Sequence, residues 1–184
     1  MIKTSNWSFS RKLLTVNMAY LLPCALLIFF LTKEKNSQIE FSAKEVYGVE
    51  YSKVLVKLLM QSSQHKIFSE SSDPQMVARA KGLESQIEHE FKELEQVDQD
   101  YGEVLLFTDV ELSARSRIQS SYRALKAQWQ DVVQKNEGRD QSYARLYGNL
   151  SVAIAHATDI SNLILDPDLD SYYMMDIVTG RLPR

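Results

Sequence analysis

Cysteine is almost missing from this chain of 184 residues; the single one is Cys24. No intrachain disulfide can form, so whatever folds must hold by packing alone. Glycine and proline are scarce as well, at six and four, which leaves few breaks. No low-complexity segment or internal repeat is visible. No window alternates polar and apolar residues over strand length, and no hairpin turn signal occurs, which argues against a sheet. Catalytic signatures are absent too: there is no glycine-rich phosphate loop, no HExxH, no CxxC and no phospho-acceptor histidine box. His65, His89 and His156 lie far apart. His156 and Asp159 are three apart and have the spacing to share a metal, but an exposed polar pair is the plainer reading. The expectation is therefore no enzyme, no cofactor and no metal. Residues 1–32 hold no acidic residue, and only Lys3, Arg11 and Lys12 carry charge there. The remainder holds 18 basic against 24 acidic residues, a net charge of −6. That leaves no basic footprint for nucleic acid.

What is present begins with residues 13–32, LLTVNMAYLLPCALLIFFLT, 20 positions without a formal charge. That length crosses a bilayer core of about 30 Å. The segment FFLTK offers no small-residue cleavage site, so a removed signal peptide is not expected. Pro23 stands where a lipoprotein signal needs a small residue before Cys24. Within the span, Asn17 can bond to a partner helix and Pro23 can kink the chain. The basic residues ahead of the span place residues 1–12 in the cytoplasm and residues 33–184 across the bacterial inner membrane, in the periplasm. Lys33 and Lys35 oppose that bias.

Past the span the helical period continues. Tyr47, Tyr51, Val54, Leu55, Leu58 and Leu59 predict a helix over 33–66, and Gly48 inside it implies close helix packing. Residues 69–74 read as a loop, with Asp73 as N-cap and Pro74 at the first helical position. The second helix has a seam from Ala80 through Leu83, Ile87, Phe91 and Leu94 to Tyr101, with a mean step of 3.5. A break is expected at Gly102 and at Phe107-Thr108-Asp109. The third helix reads Ile118, Tyr122, Leu125, Trp129, Val132, and Gly138 stops it. Asp140 is the expected cap of the fourth, which runs from Tyr143 through Tyr147, Leu150, Ile154, Ala157 and Ser161 to Ile164. Asp166-Pro167 ends that helix. The predicted fold is all-α: a transmembrane helix followed by an elongated antiparallel helical bundle.

Residues 161–176, SNLILDPDLDSYYMMD, combine a helix stop, an acidic turn capped by Asp168 or Asp170, and a new helix start. They are not a calcium loop, because Ser171 and Ile177 stand where Gly and Glu are needed. The string resembles the periplasmic sensor region of bacterial methyl-accepting chemotaxis receptors. Residues 39–45, IEFSAKE, with Gly48 and Tyr51, resemble the first sensor helix of that family. The resemblance covers most of residues 11–184, although 70–140 match only in helical character. It implies stacked four-helix bundles, a homodimer, a second span, a HAMP linker and a cytoplasmic output domain through which signalling partners would act. The sequence stops at Arg184, so a truncated receptor is expected, with 33–184 an incomplete sensor domain.

Such receptors sense small molecules, often carboxylates or other small anions. Arginine suits that task because its fork bonds a carboxylate at two points. Arg115, Arg117, Arg123 and Arg145 lie on the third and fourth helices; Arg115, Arg123 and Arg145 are the candidate ligand contacts. Tyr143, Tyr147, Tyr172 and Tyr173 are candidates to close the pocket. The plainer reading leaves the arginines in water and the tyrosines in the core. Asp166, Asp168 and Asp170 read as capping, and Glu45, Gly48 and Tyr51 as packing and signal transmission. The same outer domain would serve a sensor histidine kinase or a diguanylate cyclase, or a membrane-anchored helical protein without a small ligand.

Overall fold

The computed structural model describes residues 8–135 and 137–163. Regular structure among them is entirely helical. Helix α1 runs Phe9–Ser69, α2 Pro74–Tyr101, α3 Asp109–Ala114, α4 Tyr122–Gln134 and α5 Arg139–Ile160, with one 3-10 turn at Ile118–Ser120. The chain divides into two compact units, one up to Ser42 and one from Ala43 onward.

In the first unit, residues 13–32 of α1 carry no charge, and the large side chains from Leu13 to Leu31 are exposed. This is one helix long and apolar enough to cross a membrane. Pro23 lies inside it and withholds one backbone N–H from the helical ladder. The hydroxyls of Thr15 and Thr32 donate back to the carbonyls of Arg11 and Ile28, each at 2.8 Å.

In the second unit, the later part of α1 packs with α2, α4 and α5 as an antiparallel four-helix bundle. Side-chain pairs fix the directions. On α1 and α2, Tyr51 meets Asp98 and His65 meets Glu84. On α1 and α5, His65 meets Tyr143 and Tyr147 meets the Ser62 carbonyl. On α4 and α5, Asp131 meets Ser142 and Gln128 meets Asn149. The α2 seam faces inward as its period requires, with Ile87, Phe91 and Leu94 buried. Trp129, the largest fully buried side chain, lies edge-on to His65 at 5.0 Å. Gly48 is where α1 comes against the end of α5: a Cβ there would collide with Ser161. The close packing implied by that glycine is present.

Asp73 caps α2 as expected, accepting from the Gln75 N–H at 2.8 Å, with Pro74 at the first position. Three boundaries differ from the sequence reading. The third helix starts at Tyr122, because the Ser121 hydroxyl accepts from the Ala124 N–H and closes its N-terminus. Ile118, which falls on the seam by spacing alone, sits in the 3-10 turn ahead of it. Asp140 does not cap α5: Gly138, at φ 69°, takes that position. Asp140 instead pairs with Lys66 at 2.8 Å. Finally, α5 ends at Ile160, and Asn162 turns left-handed at φ 64°, a helix-stop geometry asparagine tolerates. Ile164 and the acidic turn lie outside the described residues.

Candidate ligand cleft

Between α2 and α4 the chain makes a tight excursion over residues 102–107 before Thr108 caps α3. Leu105 and Phe107 fold back into the core, and Leu106 takes a left-handed conformation at φ 57°. Phe107 stacks on Tyr51 at 4.1 Å. The peptide carbonyls of Leu105 and Leu106 are left pointing at His156, whose Nε2 lies 3.1 Å from each. Carbonyls only accept, so Nε2 carries the proton and Nδ1 accepts from Arg117 Nη1 at 3.2 Å. Arg117 also reaches Asp159 at 3.6 Å. His156 is fully buried rather than an exposed polar residue, and its bonds tie the loop down. Its pKa is lowered, chiefly by burial and then by the nearby arginines against its backbone bonds. Among the described residues, no three His, Cys, Asp or Glu side chains gather where a metal could be held.

The excursion leaves a cleft of about 180 Å³ beside it. Asp98 comes from α2, Glu103 and Asp109 from the loop and α3, and Tyr122 and Arg123 from the start of α4. Arg123 lies over the Tyr122 ring at 5.3 Å and approaches Asp109 at 3.7 Å. Its guanidinium is largely exposed, so its outer donors can meet a solute. Asp98 accepts a hydrogen bond from the Tyr51 hydroxyl at 2.7 Å. Burial raises the Asp98 pKa, opposed by the Tyr51 bond and by Arg123. Burial, then the Asp98 charge, pushes the Tyr51 hydroxyl up, so it remains a donor. Chemically the cleft offers one fork of cationic donors beside three carboxylates. That combination complements a small solute carrying both a carboxylate and an ammonium group better than a simple anion.

The other candidate contacts lie elsewhere. Arg115 pairs with Glu111 at 3.5 Å. Arg145 borders a separate hollow of about 290 Å³ between α4 and α5, with Gln128, Asp131 and Ser142. Tyr143 and Tyr147 adjoin each other, with ring centroids 5.7 Å apart, against α1. The Tyr143 hydroxyl is 2.6 Å from His65 Nδ1, and His65 Nε2 is 3.5 Å from Glu84. This Tyr-His-Glu chain resembles a proton relay, but Tyr143 is fully buried and no solute can reach it; it joins three helices instead. The described contacts of the three arginines thus lead to separate partners, and Arg123 alone lines the cleft beside the 102–107 loop. Tyr172 and Tyr173 lie outside the described residues. Asp98, Glu103 and Asp109 carried no sequence signal beyond being acidic next to predicted breaks or seams.

Compared with known protein families, curated proteins and solved structures, the chain matches none of them.

Proposed function

We propose that this chain is the ligand-sensing input module of a transmembrane receptor of the chemoreceptor kind. Residues 13–32 anchor it in the bacterial inner membrane, residues 1–12 are cytoplasmic, and the bundle faces the periplasm. The observation that carries this reading is the Tyr51–Asp98 hydrogen bond. Asp98 belongs to the cleft wall, and Tyr51 belongs to α1, the helix whose earlier part is the apolar run. A solute whose ammonium group draws on Asp98 competes with Tyr51 for the same carboxylate. Binding therefore shifts the balance between two arrangements of α1 against α2, as a receptor input requires. Arg123 holds the carboxylate of the solute. The membrane part of the reading is supported by the uncharged 20-residue run and by threonine hydroxyls that satisfy themselves within the helix.

The test is a thermal melt of the full chain in detergent micelles against free amino acids, with succinate as the anion-only probe and putrescine as the cation-only probe. A ligand at a hundredfold excess over its Kd stabilises by about 2.7 kcal/mol. The expected result is a raised Tm with one or a few amino acids, lost in Arg123→Ala and in Asp98→Asn. A flat panel, or a shift that survives both substitutions, contradicts the proposal.

A further inference from the structure

One side chain touches all the other helices of the bundle at once. His65, buried on α1, has its Nδ1 2.6 Å from the Tyr143 hydroxyl of α5 and its Nε2 3.5 Å from the Glu84 carboxylate of α2. Its ring meets Trp129 of α4 in a T-shaped contact, centroids 5.0 Å apart. A carboxylate only accepts, so Nε2 carries the proton of the neutral ring and Nδ1 accepts from Tyr143. The Tyr143 oxygen has a second neighbour, the Ser69 hydroxyl at 3.4 Å, where either oxygen can donate. Ser69 donates to the Lys66 carbonyl at 2.9 Å, which leaves its oxygen able to accept. In the neutral state both hydroxyl protons are thus committed, to His65 and to Lys66, and the Tyr143–Ser69 contact carries none. The charges around the ring are Glu84 from α2 and, more distantly, Arg139 from α5; α4 presents the uncharged Trp129. Lys66 of α1 is answered by Asp140 at 2.8 Å and Glu70 at 3.8 Å.

We infer that His65 is a proton-operated switch that selects between two hydrogen-bond arrangements of the bundle. A proton taken up from solvent goes to Nδ1, the one ring nitrogen without one. Nδ1–H then donates to the Tyr143 oxygen, and the Tyr143 hydroxyl turns its own proton to Ser69. The contact that carried no proton becomes a hydrogen bond and ties the start of α5 to the end of α1. On the other side of the ring, Nε2–H and Glu84 become an ion pair. Charge-assisted bonds are shorter than neutral ones, so Glu84 is drawn in and α2 with it. No buried group is left unpaired in either state, which is what lets a buried imidazole change charge without the core failing. Burial holds the ring below the ordinary histidine value, opposed by Glu84 and assisted by Arg139, so the switch works on the acidic side of neutrality. Tyr51 lies 14 residues before His65 on the same helix, about 21 Å away at the α-helical rise. Acidity therefore acts at the far end of the bundle from the cleft, and the switch does not rest on the cleft's reading.

Trp129 reports the switch directly, because a protonated imidazole in contact with an indole quenches its emission. The chain has two tryptophans, and Trp7→Phe leaves Trp129 alone. The full chain in micelles is titrated from pH 8 to pH 4.5, with emission and the far-ultraviolet helix signal recorded together. A quenching step is expected with its midpoint below the ordinary histidine value of about 6.5, at constant helix signal. His65→Gln is expected to abolish the step. Glu84→Gln removes the carboxylate that faces the ring from a half-exposed position and is expected to move the midpoint down by roughly one pH unit. Arg123→Ala is expected to leave the step in place, which keeps this result separate from the fate of the cleft. No step, a step that survives His65→Gln, a midpoint unmoved by Glu84→Gln, or quenching that coincides with loss of helix each overturns the inference.

Discussion

The two stretches of α1 are both rich in apolar residues, for different physical reasons. In residues 13–32 the large side chains point outward on every side, and none belongs to a core. In residues 47–65 the apolar positions are sorted by burial: Tyr51, Val54, Leu55 and Leu58 face the core while Val49 and Met60 are exposed, with Glu50, Lys53 and Lys57 among them. A helix apolar all round seeks a surrounding apolar medium, whereas a helix with discrete stripes seeks particular neighbours. Composition alone does not separate these cases. The angular distribution of the apolar residues does.

The largest effect that sharpens this contrast comes from charge. Arginine at the centre of a membrane span costs about 2.5–3.5 kcal/mol. Leu22→Arg combined with Leu27→Arg is therefore expected to move the protein out of the membrane fraction on cell fractionation while leaving the bundle's melt unchanged. An intact membrane fraction would remove the distinction between the two stretches.

The next effect tests the close approach of α1 to its neighbour. Gly48→Ala puts a methyl group into Ser161 and is expected to destabilise the bundle by about 1–3 kcal/mol in a denaturant melt. Gly82, in α2, has open space around the same position. There the alanine substitution is expected to stabilise by about 0.5–1 kcal/mol through helix propensity and reduced unfolded-state freedom. Equal effects at the two glycines would contradict the packing of α1 on the end of α5.

The mildest effect is a dependence on pH. His65 and His156 are both held below the ordinary histidine value of about 6.5, burial being the first cause at each. As pH falls through 6.5 the unfolded chain takes up protons that the folded chain refuses. Stability is therefore full at pH 7–8 and declines on acidification, by at most about 1.4 kcal/mol per pH unit per histidine. Asp98, whose pKa is raised, works in the opposite sense nearer the carboxylate range and returns part of the loss. Melts of the full chain between pH 8 and 5 are expected to show the decline, with a shallower slope in His65→Gln and His156→Gln. Equal slopes in wild type and both variants would contradict the burial of neutral imidazoles.

The helices were legible because each carries a long stripe of one period: Ile87, Phe91 and Leu94, or Leu150, Ile154 and Ala157, can only face a core. Their ends were less legible. Ile118 continues the α4 spacing, but a serine cap three residues later outweighs spacing. Asp140 has the chemistry of a cap, yet a glycine able to take positive φ precedes it. The cleft was legible only at Arg123. Its acidic wall comes from α2, a loop and α3, and a side chain's partners across elements leave no trace in local periodicity.

The most direct measurement is a calorimetric titration of the full chain in micelles with the amino acid that most raises its Tm, run beside Arg123→Ala. The account predicts one site per chain in the wild type and an affinity at least roughly tenfold weaker in the variant, the loss expected of a charge-assisted contact. Equal affinities would mean that the solute binds elsewhere and that the cleft beside Tyr51 and Asp98 does not hold it.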